Sequence, residues 1–239
     1  MKLIINNNEY EIDDKITNLL DAFLYIKENI NKGLAFSYGC KSGVCGSCSV
    51  RVNGTEKLAC TNNCKELDEI LPLKNLPVTR DLIVDNSNIK IKLSHANAFL
   101  SEKSTKMITQ SDVLDIDIES SCILCNSCYS SCPVYSVNDS FLGPFALTRV
   151  FRYINDTKEI NIQTKLDLIQ TNGVWDCTLC GACNLVCPQN IDIKGDILKL
   201  QNLSVQNGHV NPMFSSASNS GFNSDFDNTF GGGFNPNGF

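Results

Sequence analysis

Apolar residues at the start of the chain come in short runs that face each other across polar turns. LII at residues 3–5 and YEI at residues 10–12 flank Asn6 to Asn8, which predicts a β-hairpin over residues 2 to 12. From Thr17 the period changes. Leu19, Phe23, Ile26 and Ile30 recur at three- and four-residue steps, the mark of an amphipathic helix over Thr17 to Ile30, with Asp14 or Thr17 in place to cap it. A glycine-rich loop then carries Cys40, Cys45 and Cys48. SVRV, an Asn53-Gly54 turn and TEKLAC form a second expected hairpin, whose far strand delivers Cys60.

Hairpin, helix, cysteine loop and hairpin compose a small β-grasp-like unit that ends near Asp85, an expected domain over residues 1–86. From Asn86 the character turns helical. Residues 94 to 120 are poorly periodic and suit a helix plus an irregular segment. A cysteine run follows, then a helix over Gly143 to Ile154 with Pro144 in its first turn. A polar stretch, a helix over Lys158 to Gln170, a second cysteine run and a last helix over Ile193 to Val205 complete an expected helical domain, residues 87–205. Residues 206–239 are rich in Asn, Ser, Gly and Phe. Phe214, Phe222, Phe226, Phe230, Phe234 and Phe239 are spaced without period through a stretch that has no Lys or Arg. Such a composition buries too little to order itself, so a disordered tail is expected; docking of the phenylalanines on a partner is the alternative. The expected class is α+β.

Hydrophobic residues make up 42% of the 239, enough for a buried core. A formal charge of −6 argues against nucleic acid as a partner, since such binding rests on clustered Lys and Arg. MKLIINNNEYEIDD turns polar too early for a signal peptide, and no apolar run approaches the ~18 residues of a membrane span. Any place at a membrane is therefore expected to come from another subunit. Thirteen cysteines change the picture most. A disulfide framework belongs to short secreted chains, and the spacing here suits metal thiolates better. Twelve of the cysteines fall into three groups of four, at 40, 45, 48 and 60, at 122, 125, 128 and 132, and at 177, 180, 183 and 187. Cys64 is left over, expected as a buried free thiol, with a stand-in ligand or redox thiol as the alternative. His95 and His209 are isolated and expected at the surface. There is no nucleophile–base pair, phosphate loop or flavin fingerprint, so no catalytic residue is assigned.

YGCKSGVCGSCSVRVNGTEKLAC spaces its cysteines C-x4-C-x2-C, with a fourth twelve residues on. The first three match the plant-type [2Fe–2S] spacing, and Gly39, Gly43 and Gly46 let backbone N–H groups approach the sulfurs. Zinc prefers paired C-x2-C units around a tetrahedron. Cys40, Cys45, Cys48 and Cys60 are the expected ligands. CILCNSCYSSCP and CTLCGACNLVCP each read C-x2-C-x2-C-x3-C-P, ending at Pro133 and Pro188. In two-cluster ferredoxins the fourth cysteine of such a run ligates the other cluster. One cluster is then expected on Cys122, Cys125, Cys128 and Cys187, and the other on Cys132, Cys177, Cys180 and Cys183.

With LLDAFLYIKENI, LPVTRDLIVD, SCILCNSCYSSCPVY, FLGPFALTRVFRYIND and NGVWDCTLCGACNLVCP, the chain resembles the iron–sulfur subunit of succinate dehydrogenase and fumarate reductase over about residues 1 to 200. The resemblance implies a relay of single electrons between an FAD-bearing flavoprotein subunit, which holds the succinate/fumarate site, and a quinone-reactive membrane anchor. It implies a peripheral subunit, membrane-associated through its partners, at the cytoplasmic face of the inner membrane. The two-iron site would face the flavin. In the usual family pattern the position of Cys180 is not cysteine and the third cluster is [3Fe–4S]; here a full [4Fe–4S] is expected, lower in potential. That variant resembles relatives whose anchor is a cysteine-rich, heterodisulfide-reductase-like subunit. Val134, Tyr135 and Gln201 stand where the quinone-lining Trp and Lys would be sought, so quinone is expected only indirectly. The alternatives are the same relay for another flavoprotein, such as a glycolate oxidase or a thiol-driven fumarate reductase, and a zinc-binding scaffold.

Overall fold

The computed structural model describes residues 1–212; of the tail expected over 206–239, residues 213–239 lie outside them. The chain opens with strands β1 (Lys2–Ile5) and β2 (Asn8–Glu11), joined through Asn6 and Asn7 at φ +48° and +64°. Two consecutive positive-φ residues make the tight turn whose twist matches antiparallel strands, and asparagine tolerates it. Strands β3 (Ser49–Val52) and β4 (Thr55–Leu58) form the second hairpin on Asn53 and Gly54, again both at positive φ. Strand β4 stops at Leu58. Cys60 is not on it but in a 3-10 turn, Ala59–Thr61, which lifts its sulfur out of the ladder.

Helix α1 (Leu19–Asn29) starts two residues later than expected. Neither Asp14 nor Thr17 caps it. The Asn18 side chain accepts from the Leu20 and Asp21 N–H groups at 3.0 and 3.3 Å, while its amide donates to the Cys60 carbonyl at 2.9 Å. One residue thus starts the helix and ties it to a candidate ligand turn.

A strand that the patterning missed, β5 (Asp68–Leu71), completes the sheet. The order is β2-β1-β5-β3-β4, with β5 parallel to β1 and antiparallel to β3. Helix α1 lies over this five-stranded mixed sheet, the β-grasp arrangement. Leu3, Ile5, Leu19, Leu20, Phe23, Ile26 and Ile70 are each at most 1% exposed in the core between them. Each such side chain contributes roughly 1.5–3 kcal/mol. A small hairpin, β6 (Val78–Arg80) and β7 (Ile83–Val84), leads out.

The second half is helical, with α2 (Ser87–His95), α3 (Gln110–Leu114), α4 (Asp117–Ser120), α5 (Ser127–Ser130), α6 (Pro144–Ile154), α7 (Ile162–Leu168), α8 (Ala182–Leu185) and α9 (Ile193–Gln206). Its core gathers Tyr129, Phe141, Phe145, Leu147, Val150, Leu166, Val174 and Ile197. Helix α7 is shorter than the pattern suggested. Glu159 accepts from the Ser101 and Asn161 N–H groups at 3.1 and 2.9 Å, and the Lys158 carbonyl accepts from Ser104 N–H at 2.8 Å. The residues expected as a first helical turn are thereby paired with the segment 101–104 instead. Lys165, fully buried, closes on Glu159 at 3.0 Å and also donates to the carbonyls of Asn97 and Phe99. Met1–His209 forms one compact unit containing both cores.

Candidate metal–sulfur centres

Twelve of the thirteen cysteines gather in three places. Around the 39–48 loop, the Ser42 and Val44 N–H groups both point at Cys40 Sγ at 3.4 Å, and the Cys40 N–H points at Cys45 Sγ at 3.4 Å. The Cys60 N–H reaches Cys48 Sγ at 3.5 Å across the hairpin. Hydrogen bonds from Ser42, side chain then backbone, and from the Val44 N–H pull the Cys40 thiol down to about 6. Cys48 is pushed up to about 11 by burial, with Cys60 and Cys45 close by. Cys40 and Cys45 are exposed. Amides aimed at sulfur stabilise the thiolate that binds metal.

The two C-x2-C-x2-C runs repeat one backbone shape. In the first, Leu124 and Asn126 have φ of +53° and +64°; in the second, Leu179 and Gly181 have +54° and +78°. A leucine at positive φ is strained, at about 1–3 kcal/mol, and here it occurs at the same position of each run. The effect is alike in both. The residue two after the first cysteine turns its N–H to that sulfur: Leu179 N–H stands 3.4 Å from Cys177 Sγ, and the Leu124 N–H holds Cys122 against the upward push of burial. Successive amides turned inward make an anion-binding nest. A short helix closes each run, α5 and α8, and carries its third cysteine, Cys128 or Cys183.

The cavities do not follow the sequence order. One is lined by Cys122, Cys125, Cys128 and Cys187; another by Cys132, Cys177, Cys180 and Cys183. Each run therefore sends its last cysteine across to the other cavity. Burial pushes Cys128 far up and Cys183 up to about 12, and each feels neighbouring cysteines of its own cavity. Cys128 also feels Cys183 of the second cavity, so the two sites adjoin. Thiols so placed hold their protons until a metal displaces them. Among the described residues no three His, Cys, Asp or Glu side chains converge at single-ion distance. Two of the three groups line a cavity with four sulfurs each, a donor set that fits a polynuclear cluster.

Cys64 joins none of the three groups. It is buried, with Sγ at 3.3 Å from the Thr17 carbonyl, and burial raises it. His95 is exposed, whereas His209 is half-buried and meets Asp167 at 3.1 Å, so it is not isolated. Trp175 is half-buried and donates to Gln170 at 2.7 Å; Gln201 donates inward to the Val174 carbonyl at 2.7 Å.

Several residues near the sites carry no mark in the sequence. Asn126 is buried and exchanges hydrogen bonds with Asn88 at 3.1 and 3.2 Å while donating to Asn86 at 2.8 Å, which holds the first run. Thr148, which lines the first cavity, donates to Asp196 at 2.9 Å. Burial, reinforced by Glu119, pushes Asp196 up to about 7. Asn126 stands just before α5, and Thr148 and Asp196 lie inside α6 and α9. Single polar residues have no spacing signal of their own, so none of these could be found from pattern alone.

Residues 4–90 match a family described as a 2Fe-2S iron-sulfur cluster binding domain, and residues 119–191 match a 4Fe-4S dicluster domain. The chain is 34% identical over 194 residues to the fumarate reductase iron-sulfur subunit of Escherichia coli, covering 77% of this chain and 80% of that one. It is 32% identical over 203 residues to a subunit of the fumarate reductase (CoM/CoB) of Methanothermobacter marburgensis, covering 83% of this chain and 41% of that one. A chain of the Mycobacterium smegmatis Sdh1 complex in the apo form has the same fold, with a TM-score of 0.76 at 23% identity, over 87% of this chain and 96% of that one.

Proposed function

This chain belongs to the family of iron–sulfur subunits of fumarate reductase and succinate dehydrogenase, and from that premise we propose how its grouped cysteines work. It is an electron-transfer subunit of an oxidoreductase, with a [2Fe–2S] domain followed by a [4Fe–4S] dicluster domain. Cys40, Cys45, Cys48 and Cys60 hold the two-iron cluster. Cys122, Cys125, Cys128 and Cys187 hold the first cubane, and Cys132, Cys177, Cys180 and Cys183 the second. Two cavities lined by four cysteines each support the crossed assignment. The bound clusters accept and release electrons one at a time; the chain itself holds, insulates and spaces them.

The observation that carries the relay is the order of exposure. The first group presents Cys40 and Cys45 at the surface, and the third presents Cys180, while the group between them has no exposed sulfur. Val44, 63% exposed, lies in the loop of the first group, where its N–H points at Cys40 Sγ. The two-iron end then faces a flavoprotein with the succinate/fumarate site. The Cys180 end faces the acceptor subunit, a membrane anchor or a cysteine-rich, heterodisulfide-reductase-like protein, which puts quinone contact outside this chain. Among the described residues no helix is long and apolar enough to cross a membrane, and attachment through partners at the cytoplasmic face fits that.

The methanogen relative, named for CoM and CoB, favours a second reading, the same relay in a thiol-driven fumarate reductase. Purifying the complex anaerobically through this chain distinguishes them. Co-purification of a flavoprotein with quinone-linked succinate or fumarate turnover is expected, with about ten irons per chain from one [2Fe–2S] and two [4Fe–4S]. Fumarate reduction by thiols alone would favour the second reading, and zinc in place of iron would defeat both.

A further inference from the structure

Gly46 sits between Cys45 and Cys48, and only hydrogen on its Cα separates it from the helical half. A methyl group there would stand 2.8 Å from Cβ and 3.0 Å from Cα of Cys125, and 3.1 Å from the Ile123 carbonyl oxygen. Its φ of +71° also disfavours any side chain. The loop of the first cysteine group and a cysteine of the second group thus touch at backbone distance. Ile123 and Cys125 pack on the β-grasp core as well.

Polar contacts hold that touch in register. Glu56 on β4, 6% exposed, accepts from Ser130 Oγ at 2.6 Å. Ser130 Oγ in turn accepts from the Lys74 N–H at 2.7 Å. The Asn75 amide donates to the carbonyls of Tyr129 at 2.9 Å and of Ser130 and Cys132 at 3.3 Å. All of these grip α5 or its end, the element that carries Cys128 and leads to Cys132. A carboxylate is costly to bury unless its hydrogen bonds compensate, and Glu56 directs its carboxylate at this one junction.

We propose that Gly46 and the Glu56–Ser130 contact are positioning elements that set the separation between the first and second cysteine groups, and with it the rate at which an electron crosses between the centres they hold. This rests on the relay reading above. A single electron crosses: one centre is oxidised by one electron and the next is reduced by one, no bond forms or breaks, and no proton has to move. Transfer of an electron between two centres weakens steeply as their separation grows, so a methyl wedged at this junction slows the crossing if it pushes the two groups apart.

The test uses the full chain in its intact complex, as wild type and as the variants Gly46→Ala, Glu56→Ala and Glu56→Gln. The readouts are iron content, the magnetic coupling between the reduced two-iron centre and its neighbouring cubane, and the re-oxidation rate of the two-iron centre in a single turnover. With iron unchanged, G46A and E56A are expected to weaken the coupling and slow re-oxidation several-fold, G46A more. E56Q, which keeps an oxygen to accept from Ser130, is expected to behave as wild type. Should G46A fail to load iron, E56A decides. Full iron with wild-type coupling and rate in E56A overturns the inference, as does loss of iron from E56A, which would make Glu56 a residue of assembly. Absence of a two-iron signal in the wild type would instead sink the relay reading itself.

Discussion

Replacing Cys187 by alanine is expected to abolish the centre of the first cysteine run and to spare that of the run in which Cys187 itself lies. The loss should be about four irons per chain, together with electron flow through the subunit, because the group it empties stands between the other two. The reason is the crossing of the last cysteines. Cys187 lines the cavity of Cys122, Cys125 and Cys128, while Cys132 lines that of Cys177, Cys180 and Cys183. Cys132→Ala should give the mirror result. If each run closed on itself, the two variants would exchange phenotypes.

Cys180→Val is the second variant with a large effect, and it supplies a label that tells the two four-cysteine cavities apart. Cys180 is the exposed sulfur of its group, so its loss opens one corner to solvent without unpacking a core. The expected product is a three-iron centre: about one iron fewer per chain, a new EPR signal in the oxidised state, and a higher potential at the acceptor end. In the double variant Cys180→Val with Cys187→Ala, that signal should persist. With Cys132→Ala it should vanish. A wild-type complex that already shows the three-iron signal would mean that Cys180 is not a ligand.

The sites were more legible in the sequence than the scaffold around them. Cysteine spacing is set by covalent geometry and ligand distance, so C-x4-C-x2-C and the doubled C-x2-C-x2-C-x3-C-P state their chemistry locally. The Asn53-Gly54 turn and the Pro144 helix start were equally local and stand where the pattern put them. Strand β5 was not legible, because four residues, DEIL, become a strand through parallel pairing of Asp68 to Ile70 with the distant Leu3 to Ile5. The first turn expected of α7 was lost to Glu159, whose carboxylate finds better partners in Ser101, Asn161 and Lys165 than a helix would offer. Asn18 took the cap from Asp14 and Thr17 because it can also reach the Cys60 carbonyl. In each case a contact far away in sequence decided between local options of similar energy.

The paired leucines at positive φ belong to the same lesson. Nothing in Leu124 or Leu179 announces a left-handed backbone. Their repetition at matching positions of two runs follows from the need to turn an amide toward the first sulfur of each run, a need that only the assembled site reveals.

The most direct test is a stepwise reductive titration of the anaerobically purified complex, followed by EPR. One two-iron and two four-iron centres are expected, reducing in separate steps, with no three-iron signal in the oxidised state. Fewer than three paramagnetic centres would contradict a relay built on three groups of four cysteines.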